Sequence, residues 1–325
     1  MAITLSANAF LSSLTNLIAY TFVVPQFKDG DMGELLSKCK YDDATIGDGV
    51  VFRTAGVGAA GNLNIAASSL LSVNIPSGAT EQYLPINNKR VIPLTINKET
   101  LAQAFVNETG LSDYINETLK GMEIVKKFDI FSTLVGSIDG YTPTAANGID
   151  TINNEIFDVS GLADPAQLRQ ALDHNSKVLL KHIAKASKNM RYLSTNYNDA
   201  AAYAVADKDD LYLITTEEIR LGIDFDTLAS MFNAEYATSN KGWKDMIALP
   251  DAQLPTWTGS DVVALLCHRN KFVYGFMYQF AGMFFDWSNL NEQHFVHYAY
   301  YNGIVDACPA VQFKIGSLVT PAALS

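Results

Sequence analysis

"NKETLAQAFVNETGLSDYINETLKGMEIVKKFDIFSTLVGSI", residues 97–138, carries the reading on which the architecture turns. Asn97 or Thr100 can cap a short helix, Gly110 interrupts it, and Ser112 with Asp113 can cap a longer one. Short polar side chains do this by accepting from the free N–H groups of a first helical turn. Leu111, Ile115, Leu119, Met122, Val125, Ile130, Leu134 and Ile138 then recur with a helical period. At about 1.5 Å per residue the longer helix would exceed about 35 Å, long for a globular enzyme.

Upstream, residues 46–55 ("IGDGVVFRTA") and 90–96 ("RVIPLTI") read as strands. Between them lies a stretch rich in Gly, Ser, Ala and Asn with no sustained helical period. Loops of that length are uncommon in compact domains unless functional, and this one is expected to be the tip of a long β-hairpin. Nearer the start, Phe10, Leu11, Leu14, Leu17 and Ile18 share one helical face, and the helix ends before "FVVPQF". Two readings stand for it: an arm that docks elsewhere, or an ordinary first helix packed on its own domain.

Downstream, residues 139–164 read as loop. Asp164 as N-cap and Pro165 at the first helical position open a helix with Leu168, Leu172, Leu179 and Ile183 on its buried face. Lys181, Lys185 and Lys188 suit its negative end. A strand at "DLYLIT" (210–215), a helix around "FDTLASMFNAEY" (225–236) and strands at 262–268 and 271–285 follow. "QHFVHYAYYNGIVDACPAVQF" (293–313) reads as one broad sheet strand.

Composition narrows the function. Apolar residues make up 48% of the 325 and charged residues only 18%, against about 25% in ordinary domains. So few charges suggest a surface largely covered by partners. The formal charge of −11, from 34 acids and 23 bases, is ill suited to gripping DNA along its length, because that grip needs cations to displace condensed counterions. Cys39, Cys267 and Cys308 are odd in number and widely spaced, which points to a reducing compartment. The first basic residue is Lys28, and no run of 18 apolar residues occurs, so neither a signal peptide nor a membrane span is expected.

Motifs for chemistry mostly fail on their surroundings. Gly56, Gly58 and Gly61 have the G-x-G-x-x-G spacing of a dinucleotide fingerprint, with Glu81 at ribose distance. That fingerprint has to open a helix, yet "NLNIAASSLLSVNIPSG" follows. A nucleotide-binding oxidoreductase using these three glycines is the alternative from another class. His294 and His297 lie on a strand, where odd spacing puts them on opposite faces. "DKDDLYLITTEE" resembles a calcium loop at Asp207, Asp209 and Glu218, but Tyr212 stands where the turn needs glycine. No catalytic, cofactor-binding or metal-binding residue is expected.

Three stretches carry a family resemblance: "NKRVIPLTINKETLAQAFVNETGLSDYI", "DLYLITTEEIRLGIDFDTLASMFNAEY" and "NKFVYGFMYQFAGMFFDWSNLNEQHFVHYAYYNGIVDACPAVQF". In them the chain resembles the major capsid proteins of tailed bacteriophages, nearest to the phi 29-like short-tailed phages. The resemblance implies an α+β Hong Kong 97-like fold: N-terminal arm (1–44), extended β-hairpin loop (45–96), peripheral domain with a long spine helix (97–164), axial domain (165–285) and returning peripheral strands with the C-terminus (286–325). It implies a non-enzymatic coat protein that self-assembles through hexamers and pentamers into an icosahedral head around double-stranded DNA. The head would form in the host cytoplasm and persist as the virion capsid, with a portal protein at one vertex and any scaffolding or decoration protein separate. Phe10, Leu14, Arg53, Gly56, Gly58, Gly61, Lys89 and Arg90 are the expected inter-subunit contacts. No lysine–asparagine crosslink is matched, so a non-covalent shell is expected. An encapsulin-like compartment shell shares the fold and is the nearer alternative.

Overall fold

A computed structural model of the chain describes residues 32–44, 49–57, 79–97, 108–160, 162, 164–217, 219–220, 242–288 and 291–320. The chain forms two compact units: residues 1–49, 85–133 and 274–302 in one, and 50–84, 134–273 and 303–325 in the other. The expected helices at 10–18 and 225–236 lie outside the described residues.

The first unit holds α1 (Met32–Cys39) and a three-stranded sheet ordered β3 (Asn88–Asn97), β9 (Asn291–Ile304), β8 (Phe272–Asp286). β3 runs antiparallel to β9 from Asn88 opposite Tyr300 to Asn97 opposite Asn291. This corrects the expected hairpin: 90–96 pairs with β9, not with 46–55. Pro93 is tolerated because β3 is an edge strand. Residues 40–44 run beside β8, where the Tyr274 carbonyl accepts the Tyr41 N–H (2.9 Å) and the Phe276 carbonyl the Ala44 N–H (2.8 Å). Gly275 permits that approach, since a β-carbon there would strike the Asp42 carbonyl and the Tyr301 ring.

The long helix is α2 (Glu108–Asp139). Its buried stripe runs Met122, Lys126, Ile130, Leu134 and Ile138, while Val125 is 51% exposed. The apolar period therefore misplaced one position, which a lysine fills. Lys126 lays its stem among apolar groups with Nζ 5.7 Å from the Phe276 ring centre. Burial, opposed by Glu123 and reinforced by Lys127, holds its pKa below the ordinary lysine value.

The second unit is a five-stranded sheet ordered β4 (Ile149–Ile152), β10 (Ala310–Ile315), β7 (Val262–His268), β5 (Leu211–Thr216), β6 (Asp245–Leu249). β10 is parallel to β4 and antiparallel to β7, and β5 is parallel to β6. On one face lies α3 (Pro165–Met190), its N-cap Asp164 accepting the Ala166 N–H at 2.9 Å. Val178, Leu179 and Ile183 of α3 meet Leu211, Leu213, Ala264, Leu266, Val311 and Phe313 in the core. Full burial is worth roughly 1.5–3 kcal/mol per large side chain. Leu172, expected on that face, is 49% exposed, and fully buried Ala171 takes its place.

Three further expectations are corrected in this unit. The region 139–164 contains β4. The aromatic run 293–313 is two strands, β9 and β10, in different sheets. Within the first of the two expected hairpin strands, β1 (Val50–Arg53) instead pairs with β2 (Glu81–Leu84), a strand the sequence did not reveal. A short helix, α4 (Pro255–Gly259), and two 3-10 turns, Lys208–Asp210 and Asp251–Gln253, also lie in this unit.

Candidate assembly surfaces and the polar clusters behind them

Of the residues expected to touch neighbouring subunits, Phe10, Leu14, Gly58 and Gly61 lie outside the described residues. Arg53 ends β1 and pairs with Glu81 across the hairpin (3.2 Å), with its side chain 73% exposed. Such an exposed pair contributes little stability. Gly56 follows β1 in non-helical chain. β1 pairs antiparallel with β2 in a two-stranded sheet, whereas the strand of a dinucleotide fingerprint belongs to a parallel sheet. Lys89 is exposed on β3. Its neighbour Arg90 faces Asp129 of α2 at 3.7 Å. Arg53 and Arg90 thus each have a partner within the subunit.

Asp129 is a hub that the sequence did not disclose. Its carboxylate accepts from the Tyr298 hydroxyl (2.9 Å) and the Tyr300 hydroxyl (3.1 Å), two residues apart on β9 and so on one face. Burial, then the bond to Asp129, pushes the Tyr298 phenol above its ordinary value, so it remains a donor at any working pH. On the opposite side of β9, Tyr301 donates to the Asp42 carbonyl at 2.6 Å.

The second unit has its own cluster. Lys271 is fully buried and bonds Asp199 at 2.8 Å. The same oxygen accepts the Tyr141 hydroxyl (2.7 Å). The other oxygen accepts from the Thr144 N–H (2.7 Å), the Thr144 hydroxyl (3.1 Å) and the Ala145 N–H (3.2 Å). Burial pushes the Asp199 carboxyl up, but the donors Lys271 and Tyr141 outweigh it and hold the group below its ordinary value. A cavity of about 400 Å³ beside the pair is lined by Tyr141, Thr142, Thr144, Asp199 and Asp306. With both oxygens engaged, Asp199 anchors the 141–145 loop and is not poised to abstract a proton.

Asp306 is the misfit at this cluster. Burial raises its pKa, Lys271 opposes the rise and the Asp199 charge adds to it. A folded-state pKa above the unfolded one contributes stability at low pH that is lost as pH rises through the folded value. Asp306→Asn is therefore expected to stabilise the subunit at pH 7, with a gain that fades towards pH 4. Thermal melts at several pH values check this, and a variant less stable than wild type at pH 7 contradicts it.

His294 and His297 fall on opposite faces of β9, His297 exposed and His294 half-buried beside Glu292 at 3.5 Å. Among the described residues, no group of three or more His, Cys, Asp or Glu side chains is placed to hold a metal ion. None of the described helices is long and apolar enough to cross a membrane.

Comparison with solved structures shows which fold this is. The chain matches the capsid structure of Staphylococcus phage Andhra with a TM-score of 0.62 at 11% identity, covering 86% of this chain and 83% of that one. A chain in the structure of the head fibre and inner core protein of native bacteriophage P68 matches with a TM-score of 0.63 at 11% identity, over 90% and 86%. The capsid structure of cyanophage P-SCSP1u gives 0.53 at 11%, over 86% and 87%. At such identities the likeness concerns the fold, which is that of Hong Kong 97-like phage capsid proteins. No curated protein matches the chain in sequence. A family model for Phi29-like phage major capsid proteins matches residues 5–314, and the chain belongs to that family. It is a coat protein that assembles with its own copies, and its place is the virion capsid.

Proposed function

We propose that the subunit works without catalysis, closing through hexamers and pentamers into a shell around double-stranded DNA that it does not bind by sequence. The observation that carries this reading is the family match over residues 5–314. The net charge of −11 supports it, since a container that gripped many phosphates would hold back packaging and ejection. A portal protein occupies one vertex, and any scaffolding or decoration protein is a separate chain. The sheet of β3, β9 and β8 is assigned to the peripheral domain and the five-stranded sheet to the axial domain, a division that differs from the expected bounds (97–164 with 286–325, and 165–285) by moving β8 to the first and β4 and β10 to the second. Residues 1–44, including Phe10 and Leu14, form the arm. Residues 45–96 form the reach-over loop, with Arg53, Gly56, Gly58, Gly61, Lys89 and Arg90 as its contacts. No observation favours the compartment-shell or oxidoreductase alternatives.

The test is a deletion. Removing residues 58–78 and joining Val57 to Ala79 through Asn-Gly keeps the β1–β2 pairing. The purified variant is expected to melt like wild type yet form no shells by light scattering and negative-stain microscopy. Shells of normal size from this variant would refute the reach-over role. A wild-type protein that stays a small oligomer under all conditions would refute the container itself.

A further inference from the structure

Sheet edges present unpaired N–H and C=O groups, and proteins blunt them with charge, proline, bulges or a covering segment. In the first unit the β3 edge follows that rule, with Lys89, Arg90 and Pro93 along it. The β8 edge is covered at its start. Residues 40–44 cover it by the bonds to the Tyr274 and Phe276 carbonyls, with the Phe276 N–H donating to Asp43 at 3.0 Å. Among the described residues, no strand lies against that side of β8 beyond Phe276.

From Met277 to Phe285 the strand has no charged residue and no proline. It exposes Phe280 (62%), Met283 (63%) and Phe284 (63%), and Trp287 just beyond is 82% exposed. An edge this long and apolar, with both faces exposed, is what an isolated subunit avoids. It is suited to being covered by a strand of similar character.

We propose that residues 277–286 of β8 pair antiparallel with the same segment of a second copy, joining two three-stranded sheets across a two-fold axis. The partner follows from three observations. A coat protein is surrounded by its own copies. An uncharged strand can face itself without like-charge repulsion. The start of the same edge already accepts backbone hydrogen bonds from a neighbouring segment.

Backbone parity fixes the register to a short choice. The carbonyls of Tyr274 and Phe276 point to the outer edge, so by strand alternation those of residues 278, 280, 282 and 284 do too. In an antiparallel pair, outward-pointing residues oppose outward-pointing residues. A two-fold axis at Gly282 satisfies this, setting Phe280 against Phe284, Ala281 against Met283 and Asp286 against Tyr278. It also keeps the two Asp286 carboxylates about 27 Å apart at about 3.4 Å per residue. Gly282 suits the axis because the Phe280 ring lies over it, 3.2 Å from where a β-carbon would stand.

Cysteine pairing tests the contact directly. Opposed residues of a hydrogen-bonded pair are about 5.5 Å apart at Cα, within disulfide range. Native Cys39 and Cys308 are poor competitors, because burial, opposed by nearby lysines, pushes their thiols to about 12 and about 11. Shells co-assembled from Phe280→Cys and Phe284→Cys subunits should yield disulfide-linked dimers on oxidation, and shells of either alone should not. Charge gives an independent arm: Ala281→Lys should abolish shells while melting like wild type, and Ala281→Lys with Met283→Glu should restore them. Mixed shells without the 280–284 link, a link mapped to another segment of the neighbour, or normal shells from Ala281→Lys would overturn the proposal. Wild-type shells formed in parallel keep such a result distinct from a failure to assemble at all.

Discussion

Replacing Lys271 with Met is expected to cost the folded subunit about 3–5 kcal/mol, because it leaves the Asp199 carboxylate without its cation in a buried setting. Met keeps most of the stem's volume, so the loss reports the charge and not a cavity. Denaturant unfolding of the unassembled subunit measures it, and a loss below about 1 kcal/mol would show the pair to be dispensable. Adding Asp199→Asn to Lys271→Met removes both charges and should recover part of the deficit, an interaction that a double-mutant cycle isolates. The same pair sets an acid limit. The folded Asp199 pKa lies below its ordinary value, so its contribution is complete above about pH 4 and is lost as pH falls through the folded value. Lys271→Met should flatten that acid limb.

Trp257→Ala should cost a similar amount, about 3–5 kcal/mol. Trp257 is fully buried and its indole N–H donates to the Ile138 carbonyl at 3.3 Å. Asp139 accepts from the Thr256 N–H (3.0 Å) and the Trp257 N–H (3.2 Å), so α4 is fastened to the end of α2 by backbone and side chain together. Trp257→Phe fills most of the space and loses the indole donor, and should cost about 1–3 kcal/mol. Thermal unfolding separates the two. Equal effects for Ala and Phe would mean that the hydrogen bond, not the packing, holds the junction.

The helices were legible because their signals are local. Asp164 and Pro165 mark the start of α3 within two residues, and the period of α2 repeats over many turns. The sheets were not, because pairing is decided by residues far away in sequence. β4 has four residues, and its partner β10 lies some 160 residues downstream. β2 closes the hairpin where an apolar reading placed β3, and nothing in "EQYL" distinguishes it from loop. The buried clusters were hidden for the same reason. Lys271 reads as a surface lysine until Asp199, 72 residues earlier, is folded against it. Lys126 shows the converse error: reading the helix stripe from apolar residues alone assigned burial to Val125. Of the expected contacts, Arg53, Gly56, Lys89 and Arg90 are described and half of the set is not, so the family resemblance, not any site geometry, was what the sequence conveyed about function.

The placement of β10 between β4 and β7 has a consequence for how the protein is made. β10, at residues 310–315, is an interior strand of its sheet, so until it is synthesised β4 has no neighbour in that sheet and β7 has an open side. The other sheet likewise waits for β9 to separate β3 from β8. Each sheet therefore closes only after a strand made late in synthesis has emerged, with the slow kinetics of long-range pairing. A nascent chain cut short before residue 310 cannot complete the sheet and exposes strand edges to degradation. For a virus that needs many identical subunits this amounts to a length check, because a polypeptide without β10 lacks the strand that joins β4 to β7.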